Sequence, residues 1–314
     1  MQLDLFADAP VFYFRALEAL GRLEPAACRA LIEEHSRRFP LGPDPGPALE
    51  AAGWLEEAVP GTGDALDVFG GRTLAACRAL REGRAAGFRA MGGDAGLAAA
   101  AALAARALRR AQEAGVELSM PVGEGLPWGV LYLWTGAPEQ AHAALEGLLS
   151  RHEPSAAAYL ALGDVRQWLG RLDAALVAYR EGYLEDSAGA GWPVESSAVK
   201  GARRRYGADP EWGPAWWAVG AYLERFFPPF GKPSVEEVRR RWERFRALLA
   251  GPRDDDGVRA RLFASGLLLA ENTEAALAAG CADLVLVRRT LQEVNPSAWA
   301  RLRETLGSEG GRRF

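Results

Sequence analysis

Lysine is almost missing from this sequence: it stands only at Lys200 and Lys232, and the remaining basic side chains are arginine. Cysteine is sparse as well. Cys28, Cys77 and Cys281 lie far apart, with no CxxC spacing and no even count. That excludes a zinc-ribbon or disulfide framework and reads as reduced, buried core residues of a cytosolic protein. His35, His142 and His152 form no HExxH pair and join no carboxylate cluster. Neither GxSxG nor GxxxxGK(S/T) occurs, and the one Gly-Lys, Gly231-Lys232, lacks the upstream glycine of a phosphate loop. Carboxylates are plentiful, yet none sits as a pair within an apolar stretch where burial would raise a pKa. No catalytic residue emerges, and we expect no enzyme, no metal and no cofactor.

Long apolar runs are lacking too. The longest, Leu97 to Leu103, is alanine-rich and soon meets Arg106, Arg109 and Arg110, so it is too short to span a bilayer. Met1-Gln2-Leu3-Asp4 has no basic region and reads as no signal peptide. A soluble, cytoplasmic protein is expected, with no membrane partner. The net charge of −4 argues against a surface that binds nucleic acid directly. What is present in quantity is core material: 49% apolar residues and ten tryptophans.

One stretch organises the chain. Between Val122 and Ser187 a pattern is written twice at an offset of 34 residues. Gly129, Tyr132, Trp134, Gly136, Ala141 and Leu145 are answered by Gly163, Arg166, Trp168, Gly170, Ala175 and Tyr179. A period of 34 residues is that of a helix–turn–helix repeat, and at this spacing the stretch resembles the tetratricopeptide (TPR) family. In the second copy Tyr159, Leu162 and Val165 form one helical stripe, and Ala175, Ala178, Tyr179 and Gly182 another. Gly170 and Gly136 suit the break between helices, and Pro138 opens the next helix. The pattern departs from the family at Arg166, Gly182 and Gly125. The resemblance implies an all-α, TPR-like helical-hairpin solenoid, irregular at both ends and capped by flanking helices. It further implies a concave groove for a protein or peptide partner, lined by Val130, Leu133 and Trp134 in the first copy. In the second copy the corresponding residues are Leu160, Asp164, Gln167 and Trp168. The alternative is that both tryptophans pack against neighbouring repeats.

Residues 1–10 are read as an extended tail. Gln2-Leu3-Asp4-Leu5-Phe6 resembles the bacterial sliding-clamp-binding pentapeptide. The resemblance implies that Gln2 enters a polar subsite, that Leu5 and Phe6 fill an apolar pocket, and that Leu3 adds a smaller contact. Aromatic and aliphatic anchors on a free end can dock with little reorganisation. In the competing reading the three apolar side chains fold back over the solenoid's end.

The rest divides into an N-terminal helical region (11–121), the repeat pair (122–187) and a C-terminal helical region (188–314). Apolar periodicity places helices near 11–20, 25–38, 47–58, 73–90 and 95–114, and about fourteen in all. The rings from Trp212 to Phe230 follow helical spacing and suit a core, with a surface aromatic groove or an enzyme site as alternatives. The arginines between Arg239 and Arg246 read as a solvated face or a phosphate-binding stripe. Asp254-Asp255-Asp256-Gly257 lacks calcium-loop spacing and reads as a helix cap. Taken together, these features suggest a non-catalytic scaffold or adaptor that docks on the sliding clamp. The runners-up are a TPR-type peptide binder without a clamp link and an all-α enzyme.

Overall fold

The computed structural model describes residues 4–310 except 62, 92, 124, 153–154, 190–191 and 282, and the backbone alone of 4–10, 93 and 307–310. The protein belongs to the all-α class, with 72% helix and 2% strand. It divides into two compact units, residues 1–153 and 154–314. No helix among the described residues is long and apolar enough to cross a membrane.

The first unit contains helices α1 (Asp4–Gly21), α2 (Pro25–Arg38), α3 (Gly46–Ala58), α4 (Leu66–Arg81), α5 (Phe88–Met91) and α6 (Gly93–Glu113). A two-stranded antiparallel hairpin, β1 (Pro121–Gly123) and β2 (Leu126–Pro127), follows. A 3₁₀ helix (Trp128–Leu133) and α7 (Pro138–Arg151) complete the unit. Helix α6 turns Ala99, Ala100, Ala104, Ala107 and Ala111 fully inward. That small-residue face lets α4 approach closely enough for the Cys77 thiol to reach the Ala100 carbonyl at 3.4 Å. All three cysteines are buried, as expected.

The second unit contains α8 (Ala156–Trp168), α9 (Leu172–Glu185), α10 (Ser197–Gly207), α11 (Gly213–Leu223), α12 (Val235–Ala250) and α13 (Asp256–Glu271). Helices α14 (Thr273–Ala278), α15 (Leu284–Val294) and α16 (Pro296–Gly310) follow. Helix α13 is buried on every side from Leu262 to Ala270 and is packed by α9, α11, α12, α14 and α15. A helix apolar all round belongs in the middle of a unit. Its one interior hydroxyl, Ser265, donates to the Leu262 carbonyl at 2.8 Å and so carries no unmet polar group inward.

Several sequence expectations hold in detail. Helix α2 begins and ends where expected, and Asp255 caps α13, its carboxylate accepting the Val258 N–H at 2.9 Å. Others are corrected. Helix α1 starts at Asp4, so residues 4–10 are helical instead of an extended tail, while residues 1–3 lie outside the described residues. The expected helix at 73–90 begins earlier, at Leu66, and stops at Arg81. Sixteen α-helices are present among the described residues, against about fourteen anticipated from the periodicity.

The largest correction concerns the repeat. The second copy is a full hairpin of α8 and α9, whereas the first copy's leading segment is a β-hairpin followed by a 3₁₀ helix. Residues 34 apart explain the difference. The first copy has Pro121, Gly123, Gly125 and Pro127 where the second has Ser155, Ala157, Tyr159 and Ala161. Two glycines and an interior proline cost an α-helix about 5 kcal/mol against alanine. Gly125 uses its freedom, turning the β-hairpin at φ +70°. Ser155 instead caps α8 by accepting the Ala158 N–H at 3.1 Å.

Candidate interaction surface

Both copies share the turn that follows the leading segment. Gly136 and Gly170 take φ +75° and +73°. Just beyond them the Ala137 N–H reaches the Tyr132 carbonyl at 3.0 Å, and the Arg171 N–H reaches the Arg166 carbonyl at 2.8 Å. The close glycine contacts recur as well. A Cβ on Gly129 would stand 2.2 Å from the Ala144 methyl, and one on Gly163 would stand 2.4 Å from the Tyr179 ring.

The expected groove residues separate into two groups. Val130 and Leu133 are buried on the 3₁₀ helix, and Leu160 and Asp164 are buried on α8. These four do not line an open groove. Val130 and Leu133 point inward because the shortened leading segment must cover its own unit. Leu160 is held against Gly182, where a Cβ would come within 2.7 Å of it. The other three, Trp134, Gln167 and Trp168, reach the surface. Trp134 and Gln167 are half-buried, and Trp168 is 44% exposed.

Asp164 is a bracket inside the second unit. Its carboxylate accepts the Tyr179 hydroxyl at 2.6 Å, the Trp192 indole N–H at 2.8 Å and the Glu195 backbone N–H at 2.9 Å. A buried carboxylate needs such donors. Burial first, and the Asp164 charge second, push the Tyr179 phenol far above its ordinary pKa. The bracket fixes the segment from Trp192 to Ser196 against the hairpin, and Ser196 then caps α10 through the Val199 N–H.

That segment delivers Glu195 to Trp168. The Trp168 indole N–H donates to the Glu195 carboxylate at 2.9 Å, so a large exposed ring is held in one pose. Leu172, at the start of α9, is 62% exposed, and Arg171 beside it is exposed too. Arg166 closes the turn from behind, donating to the Ala174 carbonyl at 3.0 Å. Trp168, with Glu195 on its indole N–H, and Leu172 thus lie at the same end of the hairpin. Sequence reasoning found Trp168 but missed Leu172 and Glu195. An apolar residue at the first position of a helix was the available signal for Leu172. Glu195 lies 27 residues from Trp168, and no periodicity connects the two.

The C-terminal end of α9 is held to the middle of α12 by buried charge. Arg241 pairs with Glu181 and, at 3.0 Å, with Glu185; Arg244 also pairs with Glu185. Arg180 pairs with Glu181, donates to the Pro228 and Pro229 carbonyls at 2.8 and 2.7 Å, and lies 4.2 Å over the Phe230 ring. With Arg241 and Arg244 committed to ion pairs, Arg239, Arg240 and Arg246 remain as an exposed face of α12.

The rings between Trp212 and Phe230 are core and not a surface groove. Trp216 meets Phe263 edge-on at 5.6 Å, Trp217 meets Tyr183 at 4.6 Å, and Trp217 donates to the Ser187 carbonyl at 2.7 Å. Tyr222 donates to Glu271 at 2.5 Å. The crevice beside them, lined by Tyr183, Ala218 and Arg261 among others, has room for about one water molecule. Among the described residues no cluster of three or more His, Cys, Asp or Glu could hold a metal ion.

Leu5 and Phe6 lie on the first turns of α1, where the backbone alone is described; Gln2 and Leu3 lie outside the described residues. No family model, curated protein or solved structure matches this chain.

Proposed function

We propose that this protein is a non-catalytic interaction scaffold with TPR-like repeat character, holding a protein or peptide partner at the hairpin end formed by Trp168 and Leu172. The observation that carries this reading is the posed indole: 44% exposed, with its N–H fixed on Glu195 and an exposed leucine four residues on. A rigid aromatic with an aliphatic neighbour is the usual anchor of a protein interface, because it brings apolar area at little cost in conformational entropy.

The same reading has the scaffold dock on the bacterial sliding clamp through Gln2, Leu3, Leu5 and Phe6. Pro10 supports this part. It sits inside α1 without an N–H to return to the Phe6 carbonyl, so the turns before it are the easiest to open into an extended peptide. A second reading is favoured by a different observation: α1 already starts at Asp4, so Asp4 to Phe6 stay helical and the motif makes no clamp contact.

Titration of the full-length protein against a purified bacterial sliding clamp decides between the two. Micromolar binding that Leu5→Ala/Phe6→Ala loses and Trp168→Ala/Leu172→Ala keeps is the expected result. Absence of binding at high concentration leaves the scaffold reading without its clamp link.

A further inference from the structure

Resting on the scaffold reading above, we infer that the partner held at Trp168 is an acidic protein segment carrying one aliphatic or aromatic anchor. The argument begins at Glu195. The segment that brings Glu195 to the Trp168 indole runs directly into α10, whose N-cap is Ser196. Helix α10 reads Ser-Ala-Val-Lys-Gly-Ala-Arg-Arg-Arg-Tyr-Gly, with four basic side chains and no acidic one. Lys200, Arg203, Arg204 and Arg205 are all exposed.

Two of the four are turned to contacts within the chain. Arg203 donates to the Ala188 carbonyl at 2.8 Å, and Arg205 lies 3.9 Å from Glu224. Lys200 and Arg204 stand one turn apart on the same face of α10, a like-charge pair that disfavours the helix carrying it. Lys200 lies a single helical turn, about 5.4 Å of rise, beyond Ser196. Arg171 adds a third exposed positive charge, next to Leu172 at the tip itself. The acidic side chains near the tip in sequence are Asp173, which is exposed, and Glu195, whose carboxylate is taken by the indole N–H.

The surface therefore combines a posed indole and an exposed leucine with an exposed arginine at the hairpin turn and a basic helix, α10, that begins directly after Glu195. An acidic segment places its anchor on Trp168 and Leu172 and its carboxylates along Lys200 and Arg204. Charge of this kind sets partner choice and association rate more than the strength of the anchor contact.

The test is selection of a random peptide library on the full-length protein, followed by titration of the enriched peptides. Enriched sequences should be acidic around one leucine or aromatic residue, and binding should weaken as salt rises. Lys200→Glu/Arg204→Glu, exposed and therefore expected to fold, should weaken them ~10-fold. Trp168→Ala/Leu172→Ala should remove them altogether. Peptides that need Trp168 but are neutral or basic, or that ignore the charge reversal, overturn the acidic partner and leave the scaffold reading standing. A selection with no peptide lost on Trp168→Ala/Leu172→Ala overturns both.

Discussion

The two copies of the 34-residue pattern share their turn and differ in the segment that leads into it. Gly136 and Gly170 have nearly the same backbone, and Ala141 and Ala175 are both buried beyond it. Upstream, Pro121 to Pro127 form a β-hairpin while Ser155 to Ala161 open a helix. The consequence reaches the surface. In the first copy Trp134 is half-buried, whereas in the second a complete hairpin presents Trp168 at 44% exposure and holds it with a distant carboxylate. Identical residues at equivalent positions thus do different work, because a few helix-breaking residues several positions earlier decide which face is left over.

The largest expected effect comes from writing the first copy's break into the second. Ala161→Pro places proline in the interior of α8 and should cost the second unit at least about 3 kcal/mol. The reciprocal Pro127→Ala should leave the first unit within about 1 kcal/mol of its original stability. Urea denaturation of both variants reads the contrast, and equal costs would mean that α8 and the 3₁₀ segment are not so different.

Next comes the repeat position shared by Val130 and Asp164. Asp164→Ala strands the Tyr179 hydroxyl, the Trp192 indole N–H and the Glu195 N–H, and should cost about 3–5 kcal/mol. Val130→Ala removes two buried methyl groups and should cost about 2 kcal/mol. An Asp164→Ala variant as stable as Val130→Ala would show that the bracket holds little.

The smallest effect at neutral pH belongs to Tyr179, whose counterpart Leu145 does not titrate. Because the folded state raises this phenol's pKa, its contribution is fully present below the ordinary tyrosine value of about 10 and is lost as pH rises above it. Tyr183, pushed up to about 12 by burial, acts in the same direction. Tyr179→Phe should cost about 1–2 kcal/mol at pH 7 and flatten the fall in stability above pH 10. Thermal melts across pH 8–11 check both signs, and an unchanged alkaline slope would count against the assignment.

How legible this was in the sequence depends on the range of the interactions. The turn glycines and the Asp255 cap rest on contacts within about one helical turn, and the second hairpin on two adjacent helices whose apolar stripes each show in the spacing. The first copy misled because its matching residues, Gly129 to Leu145, all lie downstream of Pro127. The repeat register therefore carried a helix across residues that cannot form one. Asp164 misled for a different reason. A carboxylate at a groove-lining position reads as a ligand contact, and its donors Trp192 and Glu195 are 28 and 31 residues away. Leu160 was assigned to the groove although Gly182 leaves room for it to pack inward. The N-terminal pentapeptide was legible as a motif, but its helical backbone from Asp4 was not, since residues 1–10 precede the apolar periodicity that marks a helix near 11–20.

The second copy, not the first, presents its tryptophan. Oxidative footprinting by mass spectrometry, on the free protein and on the protein saturated with a selected peptide, tests it most directly. Trp168 should be modified fast and Trp134 more slowly, and peptide binding should protect Trp168 alone. Equal rates at the two tryptophans, or a bound peptide that leaves Trp168 as reactive as before, would contradict it.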